Sequence, residues 1–129
     1  MLGRSLREAL WAPALVVLAA FAIGRLPAAD ELWWLVHVAG GAALAHCYWR
    51  ATPILGDLRP IGRYIVAFAG ACSTALAWEL AEFALDQWLG TVLQEGSVDT
   101  MSDLMLGVSG AAAYLACRAL SASKAKAGR

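Results

Sequence analysis

The chain has 129 residues, of which 60% are apolar and 16% charged, with ten Lys and Arg against ten Asp and Glu, and its mean hydropathy is +0.61. A soluble domain holds about 45–50% apolar and about 25% charged residues, so this composition excludes the ordinary soluble class, and its hydrophobicity excludes disorder. The balanced charge gives no sign of a nucleic-acid partner, and none is expected.

A bilayer core about 30 Å thick asks for about 20 mostly apolar residues per helix, and four such stretches lie between the charges. The first covers about 9–24, beginning near Trp11 with Pro13 in its first turn, where a missing N–H costs little. Arg4 and Arg7 before it and Ala28 and Ala29 after it have the form of a signal peptide, but Arg25 and Pro27 stand where cleavage needs small residues, so it reads as a retained helix. The others cover 32–49, 63–89 and 102–120. None alternates with period two, so the predicted fold is all-α: one membrane-embedded domain over 1–129, a bundle of four transmembrane helices. The linkers 25–31, 50–62 and 90–101 leave no room for a second domain, and 121–129 reads as a frayed basic tail that touches anionic lipid.

Lys and Arg near helix ends stay in the cytoplasm. With both termini inside, Arg4, Arg7, Arg50, Arg59, Arg63, Arg118, Lys124, Lys126 and Arg129 are cytoplasmic and Arg25 alone is outside. Trp11, Tyr48, Trp49 and Tyr64 then fall at the inner interface, and Trp33, Trp34 and Trp88 at the outer one. Helices in lipid associate where small residues let backbones approach. Gly41-x-x-x-Ala45, Ala67-x-x-x-Ala71, Ala71-x-x-x-Ala75 and Gly107-x-x-x-Ala111 give the last three helices such faces, and the first helix is expected at the edge.

An ionised side chain at mid-bilayer costs about 2.5–3.5 kcal/mol on insertion scales, so intramembrane acids call for an explanation. The third helix carries Glu79, Glu82 and Asp86 on one narrow face, with Ala75 and Cys72 beneath them. At a rise of about 1.5 Å per residue from Leu89, Asp86 lies about 5 Å deep, Glu82 about 10 Å and Glu79 about 15 Å. Asp86 therefore reads as an interfacial acid, and Glu79 and Glu82 as the candidate catalytic carboxylates. His37 enters the second helix at roughly the depth of Glu82, about 8 Å. With the two glutamates it forms a candidate metal-ligand set, whereas His46, half a helical turn round and near the cytoplasmic end, reads as structural.

Before the fourth helix stands Asp99-Thr100-Met101-Ser102-Asp103. Thr100-x-x-Asp103 has the form of a capping box. Asp103 also shares a face with Gly107 and Gly110, so it is a candidate binding residue at the same pocket, whereas Asp99 taken alone reads as an acid that suits the helix start. Cys47, Cys72 and Cys117 are scattered without a CxxC spacing, and no phosphate loop or GxSxG elbow occurs, so zinc-finger, disulfide and serine-nucleophile chemistry are not indicated.

The order His37-x-x-x-Gly41, Trp78-Glu79-Leu80-Ala81-Glu82-Phe83, then Asp99-Thr100-Met101-Ser102-Asp103-Leu104-Met105 and Gly110-Ala111 resembles the YjdF-like family of small bacterial inner-membrane proteins, and more distantly the VanZ-like proteins, over about 32–115. The resemblance implies the shared fold, a multi-pass place in the bacterial cytoplasmic membrane, and a polar signature of His37, Glu79, Glu82, Asp99 and Asp103. It lends no settled activity. Family members carry extra amino-terminal helices, an Asp-Lys pair where Trp33 and Trp34 stand, and a Gln-Gly-Asp run where this chain reads Gln94-Glu95-Gly96-Ser97.

Three functions fit these residues. An acidic and histidine pocket near the periplasmic leaflet binds a divalent metal ion, such as Mg, Mn, Fe or Zn, or acts on a lipid-like envelope substrate. Alternatively the acids lock helices together in a structural or accessory subunit. A relay for ions or protons is the third, for which the cytoplasmic half offers nothing deeper than Arg63 or His46 and a homo-oligomeric pore would be needed. The expected partners are the bilayer, a lipid-like substrate, and further copies of the chain or a larger membrane assembly.

Overall fold

The computed structural model describes residues 2–27 and 29–128, with side chains for 7–27, 31–125, 127 and 128. The side chains of Arg4, Lys126 and Arg129, counted above among the cytoplasmic charges, and all of Ala28 lie outside the described residues. The elements are α1 (Leu2–Ile23), α2 (Ala29–Ala51), a single 3-10 turn (Thr52–Leu55), α3 (Pro60–Leu89) and α4 (Ser97–Ala127).

All four helices exceed the predicted lengths. Because α1 starts at Leu2, Pro13 is inside the helix rather than in its first turn, and it withholds the N–H that would bond the Ala9 carbonyl. Residues 121–127 continue α4 instead of fraying: Ser121 and Ser123 bond back to the carbonyls of Cys117 and Ala119, and the Ala-rich run is a good helix former. The capping box does not form either. α4 begins at Ser97, so Thr100 lies inside the first turn and its hydroxyl bonds the Gly96 carbonyl, which releases Asp103 to the helix body. α3 ends as expected at Leu89, where Gly90 takes the left-handed conformation (φ 65°) and donates its N–H to the Asp86 carbonyl.

The short connections make sequential helices antiparallel. α2 is the central element, packed on α1, α3 and α4; α3 also meets α4, and among the described residues α1 packs on α2 alone, at the edge as expected. The core is built of small side chains: Ala45, Ala67, Ala71 and Ala111 are buried, with Trp49 and Leu115. Large apolar residues such as Leu18, Phe21, Ile65, Leu80 and Phe83 face outward instead. Water would drive those side chains inward, whereas lipid is as apolar as they are and leaves close backbone packing as the holding force. α3 and α4 are each long and apolar enough to cross a membrane.

The closest approach is between α2 and α4, which run parallel. A Cβ on Gly41 would collide with the backbone of Gly107, and one on Gly110 with the carbonyl of Val38. Gly107 also faces Ala75 of α3, where an added Cβ would find ordinary contact at 3.8 Å. Gly41, Ala75 and Gly107 thus form one layer of small residues in which three backbones draw together.

Candidate metal and acid site

One helical turn outward from that layer, each of the three helices presents a polar residue: His37 four residues before Gly41, Glu79 four after Ala75, and Asp103 four before Gly107. The close crossing below sets their approach. His37 Nε2 lies 3.3 Å from Asp103 Oδ2, and one ligand atom from each of His37, Glu79 and Asp103 falls within 4.8 Å of the others. Glu79 is only 5% exposed, whereas Ala dominates the rest of the buried set. A buried carboxylate beside a second one needs a compensating cation or proton.

A loop holds the site from outside. The Asp86 carboxylate accepts from the Thr91 hydroxyl (2.7 Å), the Leu93 N–H (2.8 Å) and the Gln94 N–H (3.0 Å), which pins residues 91–94 over the end of α3. Gln94 is thereby aimed inward. Its Nε2 donates to the Glu79 carbonyl at 3.0 Å and to Glu79 Oε2 at 3.3 Å; a carbonyl can only accept, so the amide nitrogen must be the atom that faces α3.

The predicted residues therefore separate. His37, Glu79 and Asp103 converge. Glu82 turns along its own helix, where Oε1 accepts from Trp78 Nε1 at 2.8 Å, so among the described residues the group with the spacing to hold a metal ion contains Asp103 in the place where the sequence suggested Glu82. Asp99 sits one turn before Asp103 and accepts the Glu95 N–H at 3.3 Å, which ties the loop to the start of α4. Asp86 is the loop's organiser, more specific than an interfacial acid. Gln94 was missed: it is the only long amide of the loop, but no periodicity links a loop side chain to a helix fifteen residues earlier.

His46 behaves as predicted. Its Nδ1 meets the Tyr114 hydroxyl at 2.9 Å and its Nε2 the Glu8 carbonyl at 3.1 Å, while Trp11 packs edge-on at 5.4 Å. The carbonyl can only accept, so Nε2 carries a proton; in the neutral ring Nδ1 then accepts from the Tyr114 hydroxyl, and the imidazole ties α1, α2 and α4 together.

A family model for predicted membrane proteins (DUF2238) matches residues 6–124. The chain belongs to this family of predicted membrane proteins. The match takes in all four helices, beyond the 32–115 stretch that carried the resemblance; it is consistent with the YjdF-like reading and does not show a VanZ-like relationship. No curated protein and no solved structure matches the chain.

Proposed function

We propose that this family member is a multi-pass protein of the bacterial cytoplasmic membrane, with four spans and both termini inside, that binds a divalent transition-metal ion through His37, Glu79 and Asp103 near the periplasmic leaflet. The observation that carries the proposal is the convergence of one imidazole and two carboxylates, from three helices, within 4.8 Å. Metal–ligand bonds of about 2.0–2.1 Å in a tetrahedral site put ligand atoms about 3.3 Å apart, which is the separation already held by His37 and Asp103 (3.3 Å). A mixed nitrogen and oxygen donor set suits Zn, Mn or Fe better than Ca. Two carboxylates balance the charge of a divalent ion, which accounts for keeping Glu79 buried.

Three protein ligands leave a coordination position open, and a metal ion held this way supplies a Lewis acid or an activated water to a bound substrate. Gln94 fixes the Glu79 side chain from the loop, the kind of outer partner that orients a ligand. Glu82, on the next turn, is the carboxylate assigned to proton transfer. A lipid-like envelope molecule is the substrate class that reaches such a site from the outer leaflet, past exposed Trp78 and Phe83.

A second reading, a structural or accessory subunit, is favoured by one observation: among the described residues no buried side-chain nitrogen or oxygen lacks a hydrogen-bond partner. The two readings separate on metal content. Mass spectrometry of detergent-purified wild type should find a near-stoichiometric divalent metal, and Glu79→Gln and Asp103→Asn should lose it while staying helical. Metal-free wild type with variants that are merely less stable would favour the packing role.

A further inference from the structure

Far from the acid site, at the end where α2 and α4 finish and α3 begins, two arginines close on one tryptophan. The Arg63 guanidinium carbon lies 4.4 Å from the Trp49 ring centroid and that of Arg118 lies 4.7 Å from it. Trp49 is buried and also meets Tyr64 at 4.6 Å. Arg63 is held in place, because its Nε donates to the Thr52 hydroxyl at 2.9 Å while that hydroxyl donates to the Trp49 carbonyl at 2.8 Å. Thr52 is itself almost fully buried, at 1% exposure.

The two guanidinium carbons stack on one indole, which bounds their separation at about 9 Å given their distances to the shared ring. Neither is paired with a carboxylate among the described residues. By contrast Arg50, at the same end, forms an ion pair with Glu8, and Arg25, at the other end, donates to the Phe21 carbonyl. Arg63 uses only Nε, which leaves its two terminal nitrogens, and Arg118 is exposed with its whole fork available. The indole face offsets part of the repulsion between the two cations. It supplies no hydrogen-bond acceptor for their N–H groups.

We propose that Trp49, Arg63 and Arg118 form a binding site for a phosphate group. A phosphate oxygen pair matches the planar fork of each guanidinium, and the group's negative charge resolves the repulsion that the protein leaves uncompensated. The site stands at an end of the two helices best suited to cross a bilayer, where the phosphates of an anionic lipid lie. It lies about 24 Å along α3 from Glu79, so it is separate from the proposed metal site and does not depend on it.

The test uses the full chain in neutral detergent, titrated with phosphatidylglycerol, with phosphatidylcholine, and with inorganic phosphate against chloride at matched ionic strength. Bound lipid is read by native mass spectrometry and phosphate by thermal stabilisation. Wild type should hold phosphatidylglycerol on the order of tenfold more tightly than phosphatidylcholine. Arg118→Gln, at an exposed position without a hydrogen bond among the described residues, should fold normally and lose most of that preference, and Arg63→Gln with Arg118→Gln should abolish it. Lys124→Gln, which removes one charge from α4 away from the ring, should keep it. Stabilisation by inorganic phosphate that Arg118→Gln removes, with no lipid preference, assigns the site to free phosphate; a lipid preference without it assigns the site to a headgroup. If neither probe discriminates, or if Lys124→Gln costs as much as Arg118→Gln, the charge is diffuse and the proposal fails.

Discussion

Two histidines nine residues apart on α2 meet opposite surroundings. His46 gives each ring nitrogen an uncharged partner, a main-chain carbonyl and a tyrosine hydroxyl, so its hydrogen bonds are complete within the fold. His37 faces the Asp103 carboxylate and lies in reach of the buried Glu79 carboxylate. Near His46, polar groups join helices and need nothing more. Around His37, two acid groups converge on one imidazole, and that surplus of acids over bases is the ground on which a ligand site is proposed at His37 and a polar joint at His46.

The comparison can be broken most severely at the glycine layer that sets the His37 to Asp103 distance. Gly41→Ala drives a methyl group into the Gly107 backbone and should destabilise the bundle by about 3 kcal/mol, as overpacking does at its upper end. Gly107→Ala, whose Cβ finds ordinary contacts at 3.8 and 3.9 Å, should be nearly neutral. Thermal unfolding in detergent compares the two, and equal losses would mean that the close crossing does not set the geometry. His46→Ala should cost about 1–2 kcal/mol, since it removes two interhelical hydrogen bonds, with metal content unchanged.

Smaller effects sharpen the contrast. Gln94→Ala removes the loop's hold on Glu79 and should weaken metal binding about tenfold, the lower range for an outer partner, as competition with a chelator would measure. Glu82→Gln should leave metal stoichiometry intact, because the side chain is engaged with Trp78 on its own helix. Metal loss in Glu82→Gln equal to that in Glu79→Gln would return Glu82 to the ligand set.

Much of this arrangement was legible in the sequence because it follows from helical periodicity. The small faces at Gly41, Ala67, Ala71 and Gly107 predicted that α2, α3 and α4 pack together, but the depth count put His37 level with Glu82, whereas it meets Glu79. α2 begins at Ala29, before the predicted start at Leu32, so His37 lies deeper along its helix than that count gave. Spacing along one helix cannot show where a long side chain turns. Glu79 and Glu82 share a face by azimuth, yet one reaches the bundle interior and the other lies against Trp78. The local motif Thr100-x-x-Asp103 also misled, because Ser97 starts α4 a turn earlier than the apolar run alone suggests. Gln94 was out of reach, since its role depends on how Asp86 folds the loop back.

The most direct test compares the two histidines in one experiment: metal content and metal-dependent thermal stabilisation of wild type, His37→Ala and His46→Ala, purified in detergent with comparable helicity. Wild type and His46→Ala should retain a near-stoichiometric divalent ion that raises the unfolding temperature, while His37→Ala should lose both the ion and the stabilisation. If none of the three binds a divalent metal, or if both variants lose it alike, His37 is a polar joint like His46 and the metal site does not exist.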